Sequence, residues 1–168
     1  NSATVTGVWD LAYQKATTGE HGAVHLAFAS DLLAQAIATP ATNPLLNVAK
    51  SQAMPESVVA VAKKIEEAKF PVLIIGGDAA SIAIADSLEQ FICKTKIAAV
   101  CTFEGGGVIK PAHLEHFMGR IGVFQNQPCN QLMEQADLII CLGYNIAELD
   151  PIKWNAQNRS VIHVAEYL

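Results

Sequence analysis

The chain has 168 residues, 51% of them hydrophobic and 16% charged, with a formal net charge of −5. That composition suits one domain with a sizeable core plus part of a second, and it excludes a disordered chain. The acidic balance, with no basic run denser than Lys63-Lys64, excludes a nucleic-acid surface, and no apolar stretch reaches the ~20 residues of a membrane span.

Taken in order, residues 8–17 read as a short helix with Val8, Leu11 and Ala12 apolar. Residues 19–22 form a turn and residues 23–28 an apolar strand. Residues 34–54, with Pro40, Pro44 and several small polar residues, read as a linker. Pro55 then suits the first position of a helix, where its missing N–H costs nothing. Val58, Val61, Ala62 and Ile65 follow at helical spacing, with Lys63, Lys64, Glu66 and Glu67 toward water. A second helix runs from about residue 80 to 93 with Ile84, Leu88, Phe91 and Ile92 inward. A third opens near Pro128 and carries Leu132, Met133 and Ala136.

Between these helices lie four continuous apolar runs, at residues 72–75, 97–100, 138–142 and 161–164. Apolar runs without in–out alternation are what a parallel sheet covered on both faces requires. The alternation of strand and helix predicts an α/β fold with a doubly wound, mostly parallel, Rossmann-like sheet. The expected division is residues 1–33 as the end of a neighbouring domain, 34–54 as linker, and 55–168 as the Rossmann-like domain.

In such a sheet, ligands bind beyond the carboxyl ends of the strands. Three segments fall there. Gly76-Gly77-Asp78 follows the first strand, where glycines let backbone amides approach a phosphate. It is not G-x-G-x-x-G, and Asp78 either repels a phosphate or caps the helix. Thr102-Phe103-Glu104 and three glycines follow the second strand. Glu104 lies about 28 residues beyond Gly76, farther than the roughly 20 of a ribose-binding acid. The third group joins Gly119, Arg120, Gln125 and Asn126 to Gly143, Tyr144 and Asn145 after the third apolar run. Asn126 serves either as lining or as a cap for the helix at Pro128. These twelve residues (Gly76, Gly77, Thr102, Phe103, Glu104, Gly119, Arg120, Gln125, Asn126, Gly143, Tyr144 and Asn145) are the candidate cofactor-binding set.

Other chemistry is missing. The sequence has no G-x-S-x-G, P-loop or H-E-x-x-H. Cys93, Cys101, Cys129 and Cys141 form no C-x-x-C pair, so neither a disulfide framework nor a zinc site is expected. His113 and His116 suit a helix surface better than a metal. No catalytic and no metal-ligating residue is assigned, and the reduced cysteines point to the cytoplasm.

The runs at residues 119–128, 134–138, 142–144 and 148–155, from Gly119-Arg120-Ile121-Gly122 to Asp150-Pro151-Ile152-Lys153-Trp154-Asn155, closely resemble the central domain of catabolic acetolactate synthases. Residues 22–32 resemble the last strand of the pyrimidine-binding domain of thiamine diphosphate enzymes, with Ala23 and Ala29 where that family has prolines. The resemblance implies a whole enzyme that condenses two pyruvate to 2-acetolactate and CO2, using thiamine diphosphate and Mg2+ held by other domains. It implies pyrimidine and diphosphate domains as partners in the same polypeptide, a dimer or tetramer, and no turnover by this segment alone.

Biosynthetic relatives bind a flavin here through Gly-Met-His-Gly and Gly-x-Arg-Phe-Asp-Asp-Arg. The matching positions carry Gly119-Arg120-Ile121-Gly122 and Gly143-Tyr144-Asn145-Ile146-Ala147-Glu148-Leu149. FAD is therefore not expected, and Phe124 and Tyr144 are expected to fill part of its pocket. Two other readings stand beside this one. One is an isolated module binding FAD or NAD; the other is an NAD-dependent deacylase-type enzyme, which lacks here its usual C-x-x-C ribbon.

Overall fold

A computed structural model describes residues 4–18, 22–36, 52–122, 124 and 127–166. The chain divides into two compact units, residues 1–51 with 166–168, and residues 52–165. In the first, α1 (Val5–Thr17) has no buried residue. Its last turn is closed by the Thr17 hydroxyl donating to the Tyr13 carbonyl at 2.8 Å. A single turn, α2 (Ser30–Leu33), follows. The strand expected over residues 23–28 is not formed; residues 22–29 carry no regular structure. An apolar run becomes a strand only where a neighbour takes up its backbone N–H and C=O groups.

The second unit holds five parallel strands, β1 (Pro71–Ile75), β2 (Ala98–Cys101), β3 (Phe117–Arg120), β4 (Leu138–Leu142) and β5 (Ser160–Val164), in the order β3-β2-β1-β4-β5. Its helices are α3 (Pro55–Glu67), α4 (Ile82–Thr95) and α5 (Pro128–Gln135). Strand β3 is an addition to the four expected from sequence. Its Gly119 and Arg120, taken there as site lining, belong to the sheet edge.

Alternate residues of the central strands feed two cores. Leu73, Ile75, Ala99, Cys101, Leu138, Ile140 and Ile162 pack with Leu88 and Ile92 of α4, and Val61 and Ile65 of α3 lean on the same side. Val72, Ile74, Val100, Ile139 and Cys141 pack with Cys129 and Met133 of α5, joined by Ile121, Tyr144 and Trp154. The central strands are thus apolar at successive positions because they are covered from both sides, whereas the edge strand β5 is buried only at Ile162. The apolar stripe expected on α3 is only half used, since Val58 and Ala62 are exposed. Helix α4 begins two residues later than expected, at Ile82, and ends where Lys96 adopts a left-handed conformation at φ 55°.

The lower rim, at the amino ends of the strands, is tied by Asp137. Its carboxylate accepts the Lys69 N–H at 2.7 Å and the Phe70 N–H at 2.9 Å. These two bonds hold the Asp137 carboxyl below its usual range. All four cysteines are free thiols.

Candidate functional site

Strand order reverses between β1 and β4, and the loops at their carboxyl ends mark the place where this architecture binds ligands. Ladder hydrogen bonds run one residue past the strands. The Gly76 N–H donates to the Leu142 carbonyl, the Thr102 N–H to Ile75, and the Gly143 N–H to Val164, at 2.8–2.9 Å. Gly76, Thr102 and Gly143 are therefore set side by side along the carboxyl edge.

The loops then close on one another. A Cβ on Gly76 would collide with the Gly143 carbonyl and the Tyr144 Cα. Gly143 has φ +56°, and a Cβ there would strike the backbone of Ala79. The Asp78 N–H donates to the Gly143 carbonyl at 3.1 Å, within a short 3-10 turn, Gly77–Ala79. Two glycines facing each other let two backbones meet where an open crevice would otherwise lie.

One carboxylate fills what remains. Glu148 accepts the Gly77 N–H with both oxygens at 3.1 Å and the Asn145 N–H at 2.9 Å. It also accepts the hydroxyl of Thr102, a residue only 1% exposed. The Thr102 oxygen in turn accepts the Gly105 N–H at 3.1 Å. Buried and held between a carboxylate and an amide, this hydroxyl is a fastener, not a nucleophile. Glu148 was not singled out as a site residue from sequence.

The candidate residues separate accordingly. Gly76, Gly77, Thr102, Gly143 and Asn145 gather around Glu148 or frame its site. The Glu104 carboxylate lies beside Gly77, with Oε2 3.1 Å from where a Cβ on that glycine would sit. Phe103 and Arg120 meet at the rim, the guanidinium 4.8 Å from the ring centroid. A cavity of about 210 Å³ opens between Phe103, Ile121, Gly122, Glu148 and Leu149. Gly119 stands apart in β3, where an added Cβ would meet nothing within 4 Å. Gln125 and Asn126 lie outside the described residues.

Phe124 and Tyr144 have different surroundings. Phe124 is 68% exposed, whereas Tyr144 is 7% exposed and turned into the α5-side core. There its ring meets Trp154 edge-on at 5.5 Å, its hydroxyl donates to the Leu149 carbonyl, and it accepts the Trp154 Nε1–H at 3.3 Å. Left-handed Gly143 is the reason: it breaks strand alternation and sends the next side chain to the same side as Ile139 and Cys141.

A second polar cluster joins α4 to the segment before β3. Lys110 bridges Asp86 at 2.7 Å and Glu89 at 2.5 Å. His113 Nε2 lies 3.1 Å from Glu89 and 3.5 Å from the Cys93 sulfur. The Cys93 sulfur also lies 3.8 Å from Nδ1, so the ring edge faces the thiol with both nitrogens. Hydrogen bonds from Lys110 and then His113 hold the Glu89 carboxyl low. Among the described residues no group of three His, Cys, Asp or Glu side chains could hold a metal, and no helix is long and apolar enough to cross a membrane.

Comparison with known proteins assigns this arrangement to a family. The model described as "Thiamine pyrophosphate enzyme, central domain" matches residues 58–166. An acetolactate synthase of Bacillus subtilis is 28% identical over 94% of this chain and 28% of its own length. A catabolic acetolactate synthase of Raoultella terrigena is 29% identical over 91% of this chain and 27% of its own. A 3D-(3,5/4)-trihydroxycyclohexane-1,2-dione hydrolase of Geobacillus thermodenitrificans reaches 33% over 73% of this chain. The chain thus spans less than a third of the length of these relatives. In structure, a protein described as a thiamin diphosphate-dependent enzyme from Mycobacterium smegmatis superposes with a TM-score of 0.63 at 17% identity, over 100% of this chain and 30% of that one.

Proposed function

We propose that this chain, which belongs to the central-domain family of thiamine pyrophosphate enzymes, is the rigid, flavin-free middle domain of an acetolactate-forming enzyme. The observation that carries the reading is the closure of the strand-order switch by the Gly76 and Gly143 loops. An edge packed backbone against backbone serves as a wall and a spacer. In this reading thiamine diphosphate, with Mg2+, supplies the electron sink that pyruvate chemistry needs, and it is held by pyrimidine and diphosphate domains of the same polypeptide. In this reading the chain alone does not turn over pyruvate, and the whole enzyme is a cytoplasmic dimer or tetramer. Glu148, seated among the amides that a dinucleotide would need, speaks against the alternative of an FAD- or NAD-binding module.

The test is a chimera in which residues 58–166 replace the matching segment of the Bacillus subtilis acetolactate synthase. Acetolactate formation from pyruvate, thiamine diphosphate and Mg2+ supports the assignment, as does the absence of turnover by the 168-residue chain alone. A folded chimera that forms no acetolactate, or turnover by the isolated chain, overturns it.

A further inference from the structure

We infer that Glu148 is a tethered anion: its carboxylate occupies the oxyanion position of the strand-order switch, so the chain supplies its own ligand there and is closed to dinucleotides. The inference deepens the flavin-free reading above and does not depend on which substrate the whole enzyme takes.

Three donors from three different loops converge on this one side chain: the Gly77 N–H, the Asn145 N–H and the Thr102 hydroxyl. The set contains only hydrogen-bond donors, which is the chemistry of an anion site. The Thr102 O–H points to Glu148 because a carboxylate offers only acceptors, while the same oxygen accepts the Gly105 N–H. Without the carboxylate, all three donors would lose their acceptor in a partly buried place.

The frame does not depend on the carboxylate. Gly76 and Gly143 interlock through backbone atoms, and the ladder bonds of Gly76, Thr102 and Gly143 are made to other carbonyls. Removing the Glu148 side chain would therefore leave the donors in position around a vacancy the size of a small carboxylate. The neighbouring Glu104 carboxylate, beside Gly77, favours a monoanion there over a phosphate or diphosphate. A small carboxylate such as acetate is the chemical class that fits.

The experiment compares the wild-type chain with Glu148→Ala and Glu148→Ser by thermal melting in sodium acetate and in sodium chloride of equal ionic strength. Amide shifts of Gly77 and Asn145 are followed in parallel. In chloride the variants melt about 5 °C below wild type, the loss expected for charge-assisted bonds in a chain of this size. Acetate restores most of that difference saturably and moves both amide resonances in the variants but not in wild type. If a variant does not fold in chloride, recovery of folded protein in acetate is the equivalent positive result. Four outcomes overturn the inference: variants as stable as wild type, folded variants whose Gly77 and Asn145 amides ignore acetate, no recovery in acetate, or FAD binding by the wild-type chain that shifts those amides.

Discussion

Replacing Gly143 by alanine puts the closed edge under direct stress. Two costs add. At φ +56° an alanine pays about 1 kcal/mol for the left-handed conformation. Its Cβ would also lie 2.8 Å from the Ala79 Cβ, 2.9 Å from the Asp78 carbonyl carbon and closer still to the Ala79 nitrogen. None of these atoms is the free end of a flexible side chain, so the 3-10 turn must move, at about 1–3 kcal/mol for an overpacked site. The sum is about 2–4 kcal/mol, or roughly 4–16 °C in Tm for a chain of this length. Gly76→Ala, which drives a Cβ into Gly143 and Tyr144 from the other side, should cost a similar amount. Gly106→Ala is the control: its Cβ meets only the Arg120 Nη2, at 3.6 Å, and the change should stay within about 0.5 kcal/mol. Urea titration and thermal melting of the three variants measure all of this. If Gly143→Ala and Gly76→Ala both melt with wild type, the two loops are not locked together and the wall is not rigid.

Four other expectations follow from individual side chains. Tyr144→Phe removes the acceptor of the Trp154 Nε1–H and the donor to the Leu149 carbonyl, and should cost about 1–3 kcal/mol in urea with the fold retained by circular dichroism. Burial pushes the Cys141 thiol up to about 12 from 9.0, so the folded chain keeps a proton that the unfolded chain loses. Stability should then fall as pH rises from about 9 to 12, by on the order of 4 kcal/mol in total, and Cys141→Ala should show a shallower alkaline loss. A thiol reagent at neutral pH should reach the half-exposed Cys93 first, because Cys101, Cys129 and Cys141 are buried and burial raises all three. For Asp137, whose folded carboxyl is held low by the Lys69 and Phe70 N–H groups, the contribution is present above the unfolded value near 3.8 and is lost as pH falls through the folded one. Asp137→Asn should therefore flatten the acid limb of the stability profile.

What the sequence discloses, and what it hides, follows from range. The runs at 72–75 and 138–142 are legible as covered parallel strands because their composition alone leaves no polar face; the run at 161–164 also forms a strand, but only Ile162 of it is buried. Strand β3 is not, because Phe117-Met118-Gly119-Arg120 is short, lies at the sheet edge and contains a glycine and an arginine. Residues 23–28 err the other way, being apolar enough for a strand but not forming one. At the site, the glycines after β1 and β4 are visible, but their contact joins positions 67 residues apart and has no local signature. That Tyr144 turns into the α5-side core has no local signature either, because its direction depends on the sign of φ at Gly143. Glu148 sits in an irregular turn held by Asn145, which accepts the Ala147 N–H at 2.9 Å through its side chain and the Glu148 N–H at 3.0 Å through its carbonyl. An acid shortly after a strand-end glycine is the one signal that could have drawn attention to it.

The strand order also sets a timetable for synthesis. The central strand is the first of the five to leave the ribosome, yet one of its two partners, beginning at Leu138, is made 67 residues after Pro71. At ordinary elongation rates that interval lasts roughly 3–13 s. Throughout it the nascent chain carries Val72, Leu73, Ile74 and Ile75 with one backbone edge unsatisfied, and those four side chains are among the most deeply buried of the finished domain. Such an edge invites pairing with other chains. Translation that stalls before Leu142 should accordingly yield an aggregating product, and this stretch is where a holding chaperone has the most to protect.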